Sequence, residues 1–258
     1  MAAAEDLAVG LEHDELDVTD LRSVRAAVAD LAPDAVINCA AWTDVDGAEA
    51  HESRAESVNV GGAANVARAA AEVGATIVHV STDFVFDGAR RTPYVESDHP
   101  APLGAYGRTK LAGERAVAAA NPRHHIVRSS WLFGGEGRNF VTTILGLARE
   151  RERISVVDDQ VGCPTYTPHL AEALVEIAGR EQTGIWHVTG SGTASWHELA
   201  GHAVALAGLD CEVAPVKTAE VTRPAPRPAY SVLGTERVDT PRLPAWPEAL
   251  GNYLGVTT

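Results

Sequence analysis

Basic residues and long apolar runs are both scarce in this sequence. Its 258 residues include 21 Lys and Arg against 35 Asp and Glu, which gives a formal net charge of −14 at pH 7. Nucleic-acid binding needs a concentrated basic surface, so we expect no nucleic acid as a partner. No run approaches the roughly 18 apolar residues of a membrane span, and the N-terminus lacks the basic flank and apolar core of a signal peptide. These absences predict a soluble cytoplasmic protein with no membrane partner.

Cysteine is also rare, and this limits the disulfides and metal sites that the chain can form. Cys39, Cys163 and Cys211 are odd in number, far apart and free of any Cys-x-x-Cys spacing, which disfavours disulfides and structural zinc. His197 and His202 flank a segment that resembles a zinc motif, but residues five apart on a helix point about 140° away from each other. We therefore expect no metal site.

Strands and helices alternate along the first half of the chain. Residues 7–11 suggest a short strand, Asp20 or Thr19 caps a helix to about residue 31, and residues 35–41 form an almost continuous apolar strand. A helix at about 53–73 leads to a strand that ends at Thr82. This order predicts an α/β fold with a doubly wound parallel, Rossmann-like sheet, in which ligands collect at the carboxyl ends of the strands.

The second half of the chain has shorter elements. Strands are expected at residues 125–131 and 154–157, and a helix at 139–150. A Pro-rich segment covers residues 223–231. We expect a Rossmann-like domain over residues 1–150 and a mainly substrate-binding lobe over residues 151–258, with some chain returning to the first domain.

Tyr106 and Lys110 lie one helical turn apart, after a strand that ends in Thr82. A tyrosine hydroxyl with a pKa near 10 is a poor proton donor at neutral pH, but a nearby lysine ammonium stabilises the phenolate and lowers that pKa. A Ser or Thr hydroxyl at a strand end can hold the carbonyl oxygen that the tyrosine protonates. The three residue types together fit the reduction of a carbonyl by hydride.

Several motifs extend this pattern. They are Ser-Thr-Asp-Phe-Val-Phe-Asp-Gly at 81–88, Tyr-Gly-Arg-Thr-Lys-Leu-Ala-Gly-Glu at 106–114, Ser-Trp at 130–131 and Asp-Gln-Val-Gly-Cys-Pro-Thr at 159–165. In this order they resemble the extended short-chain dehydrogenases/reductases, and within them the dTDP-4-dehydrorhamnose reductase family, from about residue 7 to the C-terminus. The resemblance implies a reductase that transfers hydride from NADPH or NADH to the C4 keto group of a nucleotide deoxysugar.

The resemblance also implies roles for individual residues. Tyr106 would protonate the carbonyl oxygen, Lys110 would lower the pKa of Tyr106 and hold the nicotinamide ribose, and Thr82 would hold the carbonyl and tyrosine hydroxyls. The cofactor would contact Glu12, Asp17, Val18, Ala40, Ala41, Trp42, Tyr106 and Lys110. The substrate would contact Thr82, Asp83, Trp131 and Arg227. An acidic residue such as Glu12 at the adenosine ribose disfavours a 2′-phosphate, which favours NADH.

A Gly-rich turn between a first strand and a first helix, which holds the pyrophosphate of a dinucleotide, does not precede residue 7. Residues 1–6 resemble the last turn of the helix that follows such a turn. Gly134, Gly135 and Gly137 come too late in the chain to replace it, and we interpret them as a substrate-side loop. We therefore expect that a central strand of the sheet is missing, from a truncated or wrongly started chain.

Alternatives to this function remain open at this point. The substrate could be another nucleotide sugar, and a relative of the family serves as the regulatory subunit of methionine adenosyltransferase, so a non-catalytic binding protein or an inactive fragment is also possible. Retention of Thr82, Tyr106 and Lys110 favours the enzyme. The sequence allows a homodimer but does not determine the oligomeric state.

Overall fold

The computed structural model describes residues 8–135 and 137–255. The helices are α1 (Leu21–Leu31), α2 (Val45–Ala50), α3 (Glu52–Glu56), α4 (Ala63–Glu72), α5 (Ala105–Ala120), α6 (Phe140–Glu150), α7 (Thr167–Ala178), α8 (Trp196–Leu206) and α9 (Trp246–Leu254). A π-helical segment, Ser57–Gly62, joins α3 to α4, and short 3₁₀ segments occupy Asp83–Val85 and Thr218–Glu220. No helix among these residues is both long and apolar enough to cross a membrane.

The strands are β1 (Ala35–Asn38), β2 (Thr76–Thr82), β3 (His124–Ser129), β4 (Leu132–Phe133), β5 (Arg153–Val157), β6 (Val161–Gly162), β7 (Thr165–Tyr166), β8 (Gly184–His187), β9 (Ala194–Ser195) and β10 (Glu212–Val216). β1, β2, β3 and β8 form one parallel sheet in that order. The pairs β5–β10 and β4–β7 are parallel, and β6–β9 is antiparallel. The Rossmann-like parallel sheet expected from the sequence is therefore confirmed.

Helices cover both faces of the four-stranded sheet. On one face, Val24 of α1, Ala67 of α4 and Val117 of α5 pack against Ile77 and Ile126. On the other face, the apolar side of α7 packs against Val78, Val127 and Trp186. Because both faces are buried, the strands are rich in β-branched residues rather than alternating between polar and apolar ones. A further core, built from α6, α8 and α9, lies in the C-terminal part of the chain.

Local capping sets several element ends. Asp20 caps α1, accepting from the Arg22 N–H at 3.0 Å, as the sequence predicts. β1 ends at Asn38, earlier than expected, because its side chain accepts from the Ala40 N–H at 3.1 Å and turns the chain. β3 likewise ends before Trp131, because Trp131 has a positive φ of 50°, which is incompatible with the extended backbone of a strand.

The strand expected at residues 7–11 is not formed by residues 8–11. Val9 and Leu11 are 53% and 44% exposed, and no described strand pairs with them, so the apolar pattern alone was misleading here. Leu7 and the helical turn expected at residues 1–6 lie outside the described residues. Within the described chain β1 is an edge strand of the sheet, and the expectation of a missing central strand stays a prediction.

The division at residue 150 also stays a prediction. The chain after that point contributes β8 and α7 to the main sheet, and it also forms the separate core of α6, α8 and α9.

Candidate active site

The candidate site lies where the parallel strands end. β1 leads into Ala40, Ala41 and Trp42, while the neighbouring β2 ends at Thr82. The Thr82 hydroxyl donates to Asp83 Oδ1 at 3.0 Å and accepts from the Phe84 N–H at 3.1 Å. These bonds fix the hydroxyl at the carboxyl edge of the sheet, where ligands of such folds bind.

The first turn of α5 brings Tyr106 to this edge. A Cβ on Gly107 would lie 2.2 Å from the Phe84 carbonyl oxygen. With any residue other than glycine at position 107, the helix could not lie this close to the end of the strand. The Phe84 ring packs edge-on against Tyr106 at 5.6 Å between ring centroids. The Ala105 N–H at the start of the helix donates to Glu49 Oε1 at 2.7 Å, which supplies the cap that Gly104 has no side chain to give.

Tyr106 has a raised pKa rather than the lowered one that the Tyr-Lys spacing predicts. Burial raises the pKa of Tyr106 to about 12, the Thr82 hydroxyl works in the opposite direction, and the charge of Asp83 raises it further. The Lys110 ammonium donates to the Val80 carbonyl at 2.7 Å and lies 3.4 Å from His79 Nε2. The expected lowering of the Tyr106 pKa by Lys110 stays a prediction.

Lys110 itself is almost fully buried beneath the site, at 2% exposure. Burial lowers the pKa of Lys110 to about 8, although Glu114 and Cys39 act to raise it. Glu114 lies one helical turn further on and is paired with Arg128 at 2.7 and 2.9 Å. The lysine ammonium is consequently a stronger acid than that of a lysine in water.

Asp83 is a buried carboxyl next to Thr82, and its Oδ2 has no hydrogen-bond partner among residues 8–135 and 137–255. Burial raises the pKa of Asp83 to about 6, and interactions with the Ser231 and Thr82 hydroxyls partly oppose this. A buried acceptor without a partner is costly unless a ligand supplies a donor. Asp83 is thus suited to accept a hydrogen bond from a hydroxyl group of a bound molecule.

Trp131 is held in a strained conformation. Its φ of 50° is rare for a bulky residue, and its indole stacks on Trp196 with ring centroids 3.5 Å apart and planes 2° from parallel. A Cβ on Gly162 would lie 2.4 Å from the Trp131 ring, so the glycine backbone also packs against it. Trp196 Nε1 donates to Gln160 Oε1 at 3.2 Å, which fixes the stack in place.

Arg227 is paired within the protein. Its Nη1 and Nη2 each donate to a carboxylate oxygen of Asp46 at 2.9 Å, and the guanidinium lies 6.0 Å from the centre of the Phe84 ring. The pair ties the Pro-rich segment to α2. The predicted contact of Arg227 with a pyrophosphate stays a prediction, and the structure shows that such a ligand has to share this cation with Asp46.

Apart from Tyr106 and Lys110, the residues predicted to contact the cofactor fall into two groups of three. Ala40 and Ala41 follow β1 at the same sheet edge as Thr82, together with Trp42, whose N–H donates to Asn59 Oδ1 at 2.9 Å. The other three residues, Glu12, Asp17 and Val18, lie in the segment before α1. The N–H and hydroxyl of Thr19 lower the pKa of Asp17, so that carboxylate already caps a local turn.

Sequence reasoning missed several residues that shape the site: Asp46, Glu49, Asn59, His79, Glu114 and Trp196. His79 carried a signal, because a histidine inside the buried β-branched run of β2 needs a polar partner. Asp46 and Glu49 carried none, because their partners are 181 and 56 residues away in the sequence.

Comparisons with known proteins show the family of this chain. The family model described as the RmlD substrate binding domain matches residues 1–258. A dTDP-4-dehydrorhamnose reductase of Mycolicibacterium smegmatis is 45% identical over 269 residues, covering 100% of this chain and 81% of the relative. A dTDP-4-keto-6-deoxy-D-glucose reductase of Streptomyces niveus is 43% identical over 243 residues, covering 93% of this chain and 82% of the relative.

A solved structure is similar over nearly the whole fold. It is a dTDP-4-dehydrorhamnose reductase of Bacillus anthracis in complex with NADP, 38% identical, with a TM-score of 0.93 over 97% of this chain and 92% of that one. The sequence motifs, the parallel sheet and these matches agree, and the chain belongs to the RmlD substrate-binding domain family.

Proposed function

We propose that this protein is a reductase that transfers hydride from NADPH or NADH to the C4 keto group of a nucleotide deoxysugar, converting dTDP-4-dehydro-L-rhamnose to dTDP-L-rhamnose. The observation that carries the proposal is the meeting of Thr82, Tyr106 and Lys110 at the end of β2. The reduction of a carbonyl needs a hydroxyl that holds the carbonyl oxygen, a phenol that protonates it and an amine that supports the phenol, and these three residues supply them.

The residues present fit a nicotinamide cofactor. Ala40 is exposed at the end of β1, and Lys110 uses one N–H on the Val80 carbonyl, which leaves further donors for ribose hydroxyls. Lys110 and Tyr106 would hold the nicotinamide ribose, and Ala41 and Trp42 would line the neighbouring part of the cofactor. When bound, the cofactor supplies the hydride.

The protein side chains supply the proton and the orientation. Thr82 would turn its hydroxyl proton from Asp83 Oδ1 to the sugar carbonyl oxygen and so hold it, and Tyr106 would give its phenolic proton to the same oxygen as C4 is reduced. Asp83 Oδ2, which has no partner among the described residues, accepts a hydrogen bond from a sugar hydroxyl, and Trp131 orients the ring. A phenol with a pKa of about 12 keeps its proton until the carbonyl oxygen becomes basic.

Reduction of a different dTDP-linked 4-ketosugar is the second candidate. The relative from Streptomyces niveus carries the name of such an enzyme at 43% identity. The cytoplasmic location and the possible homodimer belong to the same proposal and stay predictions.

Replacement of Tyr106 by Phe tests the chemistry. We expect ketosugar-dependent oxidation of NADPH or NADH by the purified chain, and a roughly 10²- to 10⁴-fold lower kcat in Tyr106→Phe, because the proton donor is removed. Cofactor affinity should fall much less, because Lys110 still holds the nicotinamide ribose. Tyr253→Phe is the matched control, since within residues 8–135 and 137–255 the Tyr253 hydroxyl hydrogen-bonds only to the Gly135 carbonyl and the Asn139 amide. Full turnover by Tyr106→Phe would remove Tyr106 from the mechanism, and no turnover by the parent chain with either sugar would contradict the proposed function.

A further inference from the structure

The environment of Lys110 contains a buried histidine to which the reaction assigns no role. His79 lies on β2 with no measurable exposure, between Asn38 of the neighbouring strand and Lys110 of α5. Its Nδ1 is 3.1 Å from Asn38 Nδ2, and its Nε2 is 3.4 Å from Lys110 Nζ. The imidazole therefore connects the end of β1 to the catalytic lysine.

The orientation of the Asn38 amide decides which ring nitrogen carries the proton. Asn38 Oδ1 accepts from the Ala40 N–H at 3.1 Å, so the NH₂ group of the same amide faces His79 Nδ1. An NH₂ group can only donate, so Nδ1 accepts, and a neutral ring then carries its proton on Nε2. Burial lowers the pKa of His79 well below its usual range, and the charge of Lys110 lowers it further, so the ring is neutral.

The proton on Nε2 faces Lys110 Nζ. A charged ammonium offers only N–H groups to this N–H, whereas a neutral amine offers a lone pair that accepts it. We propose that His79 is a positioning residue for Lys110, which Asn38 holds in the Nε2–H tautomer so that its N–H stabilises the neutral amine form of the lysine.

The other groups around Lys110 either favour its charged ammonium form or do not distinguish between the two forms. Glu114 and Cys39 favour the ammonium, but Glu114 is already paired with Arg128 at 2.7 Å. The Val80 carbonyl accepts one N–H of either form. His79 is thus the one neighbour in the described part of the chain that discriminates against the charged lysine through a directed N–H.

The consequence for the reaction rests on the proposed function. After Tyr106 has given its proton to the sugar oxygen, its phenolate needs a proton, and the Lys110 ammonium is the stronger acid, with a pKa of about 8 against about 12. The N–H bond of Lys110 breaks, the O–H bond of Tyr106 reforms, and the amine that remains accepts the His79 N–H. His79 thereby favours reprotonation of the Tyr106 phenolate.

The chain is well suited to a direct measurement, because Lys110 and Lys217 are its only lysines. In the ligand-free chain carrying ¹⁵N- and ¹³C-labelled lysine and histidine, NMR reads the Lys110 titration and the His79 tautomer. Lys217, which is paired with Asp158 at the surface, is the internal reference. We expect a proton on His79 Nε2 and a Lys110 pKa near 8.

Replacement of His79 by Phe removes the N–H while keeping the site apolar. We expect the acid dissociation constant of Lys110 to fall about tenfold, a rise of about one pKa unit, and the alkaline limb of the kcat/KM profile to move by the same amount. The matched control is His125→Phe, which removes another fully buried histidine, bonded to Trp186, and leaves the Lys110 titration unchanged.

The two readouts separate the inference from the proposed function. A His79 ring with its proton on Nδ1 in the parent chain overturns the inference without any variant, and so does an unchanged Lys110 pKa in folded His79→Phe. The expected NMR result in a chain that reduces no ketosugar would retain the inference about Lys110 and contradict only the proposed function.

Discussion

At the scale of single residues, burial controls the ionisable groups of the site. Tyr106, Lys110 and Asp83 all have pKa values shifted by burial toward the uncharged form, to about 12, 8 and 6. Buried polar groups without full hydrogen-bond partners cost stability, and this cost is commonly found at sites where a ligand completes the hydrogen bonds.

Asp83 makes a pH-dependent contribution to stability. Because its folded pKa of about 6 lies above its usual 3.8, the folded chain binds the extra proton, and stability falls as pH rises through about 6. Between about pH 5 and pH 8, ionisation of Asp83 should lower the free energy of unfolding by about 1 to 2 kcal/mol. Asp83→Asn should remove this pH dependence. Urea unfolding of both chains at the two pH values measures it.

Asp87 provides the control for this slope. Hydrogen bonds from the Ala89 N–H and the Tyr94 hydroxyl lower the pKa of Asp87, so it is ionised over the same range. Asp87→Asn should therefore lose stability equally at both pH values. An Asp83→Asn chain with the same pH slope as the parent would contradict a raised Asp83 pKa.

At the scale of elements, the decisive feature is the close approach of α5 to the end of β2. This close approach depends on Gly107. Tyr106 lies in the same helical turn as Gly107, so the close approach also brings Tyr106 toward Thr82. A glycine inside a helix normally costs about 0.5 to 1 kcal/mol relative to alanine, so its presence there indicates a packing requirement.

Gly107→Ala should consequently destabilise the chain despite the gain in helix propensity. The new Cβ would lie 2.2 Å from the Phe84 carbonyl oxygen, which forces α5 and Tyr106 away from Thr82 and should lower kcat at least tenfold. In α6, Gly146 has nothing within 4 Å of its added Cβ, so Gly146→Ala should stabilise by about 0.5 to 1 kcal/mol at unchanged kcat. Thermal melts and initial rates decide between these outcomes, and equal behaviour of the two variants would contradict the close-packing argument.

At the scale of the whole molecule, α2 connects parts of the chain that are distant in sequence. Asp46 binds Arg227 of the Pro-rich segment, and Glu49 binds the start of α5. The Arg227 side chain is only 11% exposed, so the pair is largely protected from water and more valuable than a surface salt bridge.

Two single variants separate the structural and ligand-binding roles of Arg227. Asp46→Ala and Arg227→Ala both break the pair, so we expect a similar loss of about 1 to 3 kcal/mol in the free energy of unfolding. If Arg227 also binds the substrate pyrophosphate, Arg227→Ala alone should raise the KM for the nucleotide sugar a further tenfold or more. Equal KM values in the two variants would restrict Arg227 to its structural pairing with Asp46.

The sequence by itself determined the fold class, the strand that ends at Thr82, the helix that carries Tyr106 and Lys110, and the family. These features depend on apolar periodicity and on short motifs, which are local in the chain. The same local pattern was misleading at residues 8–11, where an apolar run forms no strand because the described chain offers it no partner.

Only the tertiary structure decided the charge states and pairings of the site. Withdrawal of the Tyr106 hydroxyl from water raises its pKa, Arg227 is held by a carboxylate 181 residues away, and His79 meets Lys110 across 31 residues. Burial and the distance between side chains that are remote in sequence arise only when the sheet and helices pack. The sequence thus determined which motifs carry Thr82, Tyr106 and Lys110, and packing decided the protonation of these side chains and the partners that surround them.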